Sequence, residues 1–375
     1  MRYAVGLGAT LFALLLSSRP AFAHARWFVD DKQLSPAPEF QLDRIYTLIL
    51  TGALLFVIGA VFLESASRRN VALHGVLQRP MQASNNAVWR ILSITFGSTL
   101  IINSMGRVLV APNLPAGQES GLQVIMFVQI IIGSMFVIQS RLIVASALVV
   151  LLPFFCWRLY SFSHAIDYAF ELVGIGAALY VVGPSLSAAD RDLQKNLFAW
   201  SPIGLTLHVE TGSRSFCCTW RTSRQNGLTP DWERERLAAT ILRSLLGLQL
   251  IVLAAHDKLL QPAVSLAFVD KYAFVNFPAL FGATSFTNLH FVFGAGIAEI
   301  AFGALLIANI ATRAVCGILT AVFVTTGIMF GLGEMVGHLP IVAALLVLMA
   351  LGGRHASERL VAFAGMRTPT GPLDS

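Results

Sequence analysis

The sequence predicts an all-α, polytopic membrane protein of about nine transmembrane helices, arranged as one extra helix followed by two tandem, parallel four-helix bundles. Three observations lead there. The 375 residues are 56% hydrophobic and only 12% charged, against roughly 25% charged in an average soluble domain. That balance excludes a soluble enzyme and a disordered chain alike. Apolar stretches long enough to cross lipid recur nine times. The basic residues behind the net charge of +6 lie between those stretches, where they report topology and not nucleic-acid binding.

Residues 1–23 read as a removable signal peptide. Arg2 precedes an apolar run from Tyr3 to Leu16, too short to span about 30 Å of hydrocarbon at about 1.5 Å per residue. Ala21-Phe22-Ala23 supplies a small-x-small cleavage site. The mature chain is then expected to start at His24 in the periplasm. Cleavage there would expose an α-amino group beside an imidazole, a pair suited to copper, although the same atoms appear whenever a signal is cut before histidine.

Spans are expected near residues 45–63, 91–111, 121–139, 142–160, 163–183, 237–256, 290–310, 314–333 and 335–352. With His24 outside, the loops expected inside hold sixteen basic residues, from Arg68 to Arg367, and the outer segments hold six: Arg26, Lys32, Arg44, Arg158, Lys258 and Lys271. The asymmetry places the C-terminus in the cytoplasm of a cell whose inner (plasma) membrane the chain crosses. The Gly331–Gly337 connection is so short that the last two spans must turn tightly.

Eight of the spans repeat in two groups of four. Each group opens at an arginine, Arg90 or Arg243, and its first span ends at a proline, Pro112 or Pro262. A lone arginine, Arg141 or Arg313, precedes each third span, and His164 and His338 open the fourth spans. In each second span a long polar residue stands four before a glycine: Gln129 with Gly133, and Glu299 with Gly303. An even number of spans per copy makes the repeat parallel. The organisation is therefore a 24–89 segment with the first span, a first repeat at 90–183, a polar cytoplasmic segment at 184–236, a second repeat at 237–352 and a tail at 353–375.

In the second copy, Ala254-Ala255-His256-Asp257-Lys258-Leu259-Leu260-Gln261-Pro262, Gly294-Ala295-Gly296-Ile297-Ala298-Glu299-Ile300-Ala301-Phe302-Gly303, Arg313 and Gly333-Glu334-Met335-Val336-Gly337-His338-Leu339-Pro340 occur in order. This pattern resembles the DoxX/DoxD family of four-helix membrane proteins, which includes the membrane subunit of thiosulfate:quinone oxidoreductase. The resemblance covers about residues 237–352. It implies an oxidoreductase subunit that handles a quinone and acts on a small sulfur anion such as thiosulfate. The first copy departs from the pattern, with Gln129 for Glu299 and only Arg107 where the second has Asp257-Lys258, so a second active site is in doubt.

Ionisable residues in lipid are functional candidates by default. Arg107, Arg158, His164, Asp167, His256, Asp257, Lys258, His290, Glu334 and His338 fall at outer ends of spans, and Glu299 alone is read as deep, nine residues past His290. That spacing sets it about 13 Å further in. Glu299, His338 and Glu334 are the candidate catalytic groups, with Lys258 or His338 expected to hold the Glu299 charge. His256, Asp257, Lys258 and Arg107 are the candidate substrate-binding residues. Arg158, Asp167 and His290 are expected to be interfacial residues that reach water by themselves. Glu334 and His338, spaced i,i+4, share a helix face and suit a proton relay. No third metal ligand has diagnostic spacing, so no metal is assigned.

Aromatic residues Phe268, Tyr272, Phe274, Phe277, Phe281 and Phe286 crowd the outer 257–289 loop, a place where a flat quinone ring could lodge. Cys156 and Cys316 are expected at opposite membrane faces, Cys217 and Cys218 lie in the cytoplasmic segment, and no Cys-x-x-Cys or dinucleotide fingerprint occurs, which disfavours thiol exchange and nucleotide chemistry. Three functions follow: a quinone-linked oxidoreductase subunit working with a soluble redox or accessory subunit, a proton-coupled transporter, or a non-catalytic scaffold for a soluble partner.

Overall fold

In the computed structural model, residues 29, 34, 40, 43–69, 85–111, 114–115, 120–160, 162–193, 205–212, 215–222 and 231–351 are described. The expected signal peptide, His24, Pro112, the side chains of Cys217 and Cys218, and the 353–375 tail lie outside them.

Among the described residues, nine long helices form the body: α1 (Arg44–Arg69), α2 (Asn85–Met105), α3 (Ser120–Ile138), α4 (Leu142–Leu159), α5 (Phe162–Leu186), α6 (Asp231–Ala254), α9 (Asn288–Ala308), α10 (Thr312–Phe330) and α11 (Leu332–Leu351), with short α7 (Ala263–Lys271) and α8 (Phe277–Leu280) between α6 and α9. Eight are long and apolar enough to cross a membrane, and the chain is an integral, multi-pass membrane protein. The other long helix, α2, is as long as α9 but carries Ser93, Ser98, Thr99, Asn103 and Ser104 along its length. It packs along α3 and α11 and touches α5, so Ser93 donates to the Phe136 carbonyl at 2.8 Å with no exposure. The start of α2 at Asn85 lies before the expected 91, because the polar turn carrying Arg90 is already helical.

Helix pairing repeats. In the first group α2 lies along α3 and α4 along α5; in the second α6 lies along α9 and α10 along α11. Between the groups α5 lies along α6 and α2 along α11. Exchanging the groups maps each cross-pair onto the other, as a pseudo-two-fold relation between two four-helix units requires. Local detail agrees. A Cβ on Gly133 would fall 2.6 Å from the Gly97 carbonyl, and one on Gly303 would fall 2.5 Å from that of Gly247. Each first helix thus crosses its second backbone to backbone, a geometry open only to small residues. The connection between second and third helices has two left-handed residues in both copies, Gln139 and Arg141 (φ 57 and 56°) and Asn309 and Ala311 (φ 56 and 47°). Gly331, at φ 100°, is the single residue between α10 and α11.

The extra helix α1 lies against α9 with only 6% of its apolar window buried. Tyr46 meets Phe40 and Phe293 edge to face there, with Phe40 tilted against Phe293, and Asp43 accepts from the Ile45 and Tyr46 amides as the helix N-cap. The polar 184–236 segment adds what the sequence reading lacked, an antiparallel hairpin of β1 (Leu205–Gly212) and β2 (Ser215–Thr222), in register from Leu205 opposite Thr222 to Gly212 opposite Ser215.

Candidate functional site

The site is built on the end of α6. Instead of stopping, the helix widens into a π-helical stretch, Ala255–Leu260, closed by the Gln261 amide on the His256 carbonyl at 2.9 Å. Such insertions re-aim side chains and recur at functional sites. Pro262, which has no amide proton to continue the ladder, starts α7, and Ser265 Oγ donates to the Asp257 carbonyl at 2.8 Å. Gly296 lets α9 approach, since a Cβ there would stand 3.1 Å from that of Lys258.

Lys258 Nζ then reaches Glu299 Oε2 at 2.7 Å, with 23% and 30% of the two side chains exposed. Of the two cations expected for Glu299, Lys258 is the one that pairs with it. His338 instead bonds Glu334, Nε2 to Oε1 at 2.9 Å, within the first turns of α11. Those side chains are 8% and 4% exposed, and Glu334 Oε2 has no hydrogen-bond partner among the described residues. The Glu299 helix α9 packs on α6 and the His338 helix α11 on α10 and α2. The candidate catalytic groups therefore form two separate pairs.

His338 faces the other repeat. Together with Thr99, Tyr168 and Glu171 it lines a cavity of about 30 Å³ between the repeats, room for about two waters and far too small for a quinone ring. Glu171, four residues beyond Asp167 on α5, is buried within the span, which corrects the expectation that Glu299 is the one deep acid. Glu299 is the more open of the two. Asp167, expected at the interface with water, is only 2% exposed. Gln249 of α6 pins this turn of α5, donating to the Ile166 and Asp167 carbonyls at 3.2 and 3.0 Å and accepting from the Phe170 and Glu171 amides at 3.0 and 3.1 Å. An amide lodged in a helix ladder marks a local opening. The sequence reading passed over Glu171 and Gln249; the signal was the i,i+4 pair Asp167 and Glu171 inside an apolar span.

His256 Nδ1 and Asp257 Oδ1 lie 2.7 Å apart, and Asp167 of the other repeat joins them, with one ligand atom from each of the three within 4.8 Å of the others. His290 is likewise 6% exposed and does not reach water by itself: its Nδ1 closes a capping box with Thr287, and its Nε2 bonds Asp43 Oδ2 at 2.9 Å, tying α1 to α9. Arg107 stands exposed on the turn after α2 at φ 57°, on a separate element from His256, Asp257 and Lys258. The aromatic residues of the 257–289 segment are partly used in packing: Phe268, Tyr272 and Phe274 surround Phe330 at the end of α10, while Phe277 and Phe281 are 57% and 88% exposed.

No family model, characterised protein or solved structure matches the chain. What the arrangement can do is therefore argued from its chemistry. A half-open ion pair lies within a span, and two largely buried groups lie where the repeats meet: Asp167 with His256 and Asp257, and Glu171 with His338 and its partner Glu334. The open pair can meet a lipid-soluble partner from the side, and the buried groups can hold protons and waters away from lipid.

Proposed function

We propose that this membrane protein is the quinone-handling subunit of an oxidoreductase, with Glu299 exchanging the proton that accompanies electron transfer to a lipid-borne quinone. The reading is supported above all by the Lys258–Glu299 pair, 2.7 Å long and partly exposed on a membrane-spanning helix. Reduction of a quinone to a quinol takes up two electrons and two protons. The electrons come from a donor held by a soluble partner subunit, and this chain supplies protons at the quinone oxygens. Glu299 gives its proton to a quinone oxygen, pairs as the carboxylate with Lys258 2.7 Å away, and takes up the next proton from water on its exposed side, once for each of the two protons. Lys258 is paired with Glu299, so a sulfur anion would find less positive charge here than an unpaired lysine offers; the exposed Arg107 is the second candidate cation for it. The outward position of the site, on the periplasmic side, belongs to the same proposal.

Mass spectrometry of the detergent-purified protein should find bound quinone and a partner polypeptide. Glu299→Gln should fold, retain the lysine contact as a hydrogen bond, and lose quinone-linked turnover at least 100-fold. Wild-type turnover in that variant would end the proposal. Proton-coupled transport is the second reading, favoured by the buried acids where two parallel repeats meet. Uptake into vesicles that collapses with the proton gradient, without quinone dependence, would put it first.

A further inference from the structure

The two repeats meet at a group of side chains that neither has alone. Asp167 comes from α5 of the first repeat, His256 and Asp257 from the π-helical end of α6 in the second, and one ligand atom from each lies within 4.8 Å of the others. We propose that Asp167, His256 and Asp257 bind one divalent d-block cation, of the Zn2+ or Mn2+ kind, and so join the two repeats through the metal. The inference is independent of the quinone reading.

The donor set is right for that class. One imidazole with two carboxylates suits borderline ions and is poorly matched to soft Cu+, which prefers sulfur, or to Ca2+, which takes six or more oxygens. Burial argues in the same direction. Asp167 is 2% and Asp257 9% exposed, and two carboxylates held so close away from water repel each other unless positive charge lies between them. The backbone that carries the acids is also held in place: Gln249 donates to the Asp167 main-chain carbonyl at 3.0 Å and Ser265 to that of Asp257 at 2.8 Å. The His256–Asp257 contact of 2.7 Å is the arrangement the two side chains take with each other; an ion entering between them replaces that contact with two metal bonds. Three protein ligands leave at least one position for water, as in sites open to exchange.

The test uses the purified full chain in detergent, stripped with chelator and titrated calorimetrically with ZnCl2, then with CoCl2 as a spectroscopic probe. The expected result is one Zn2+ per chain and Co2+ visible bands of imidazole–carboxylate ligation. Affinity should fall at least 30-fold in the isosteric Asp167→Asn and in His256→Ala, both checked for wild-type elution and melting, and should stay unchanged in His24→Ala. A stoichiometry and affinity untouched by Asp167→Asn and His256→Ala, loss confined to His24→Ala, or no binding by the folded wild-type chain would each overturn the proposal. Because none of these readouts involves turnover, failure of the quinone reading leaves the result standing, and the reverse holds too.

Discussion

Gln129 and Glu299 occupy the same place in the two repeats, four residues before the glycine at which the helix crosses its partner, yet they do different work. In the first repeat α2 ends at Met105 and the chain turns sharply, placing Val110 at φ 59°, where a β-branched residue is strained. Gln129 holds that turn, accepting from the Val110 amide and donating to the Leu100 carbonyl, both at 3.0 Å, with no exposure; the Asn103 amide also donates to the Val110 carbonyl. In the second repeat the helix runs on through Ala255–Leu260 and closes its own backbone bonds. The following position is thereby released from structural duty, and a carboxylate with a lysine partner stands there. One repeat has spent its polar residue on the backbone, and the other has kept it for chemistry.

The exchange Gln129→Glu sharpens this contrast most on the side of stability. An acid there loses the amide donor to Leu100 and buries an unsatisfied group, which should cost about 2–4 kcal/mol, whereas Glu299→Gln should melt close to wild type. Fluorescence-detected melting of both variants decides it, and a Gln129→Glu protein as stable as wild type would break the comparison. Where the repeats are alike, equal effects are expected. Gly133→Ala and Gly303→Ala each force a Cβ against a facing carbonyl and should each lose about 1–3 kcal/mol; a strong loss in one with none in the other would mean the crossings differ. Smaller is the effect of Asp190→Ala. Asp190 accepts from the Leu142 and Ile143 amides at 2.8 and 3.3 Å and caps α4; the loss should be about 0.5–2 kcal/mol, visible in the same melts.

The smallest effect concerns α1. The Tyr46 amide above all, outweighing desolvation and helped by His290 and the Ile45 amide, holds the Asp43 carboxyl below its usual 3.8. A lowered carboxylate stabilises fully above its unfolded value and stops doing so as pH falls through the folded one. Protection of α1 amides from hydrogen exchange should therefore be flat above about pH 4 and weaken below 3.8. In Asp43→Asn that weakening should vanish; an unchanged profile would assign it to another group.

The fold was readable because lipid demands long apolar runs and because arginines stand between them. Ends were read less well where polar residues are helical, as at Asn85–Arg90. The repeat was legible in Gln129–Gly133 and Glu299–Gly303, and the facing Gly97 and Gly247, each four before an isoleucine, carry the same message. Of the candidate site, the Glu334–His338 pair follows from i,i+4 spacing on one helix, and Lys258 is one of the two cations expected for Glu299. The meeting of Asp167 with His256, and of Glu171 with His338, is not legible in this way: it depends on α5 lying along α6 and α2 along α11, contacts between spans that no local pattern encodes. Glu171 lies inside the span His164–Leu186, where nearness to a span end gives no sign of it.

The attachment of α1 has a consequence for biogenesis. Its anchor residue Asp43 waits for His290, a partner 247 positions later in the chain. At roughly 5–20 residues per second of synthesis, the first helix spends on the order of 12–50 s in the bilayer before its docking surface exists. It must be tolerated by lipid alone during that interval, which its almost wholly apolar circumference allows, and it can dock only once α9 has been made.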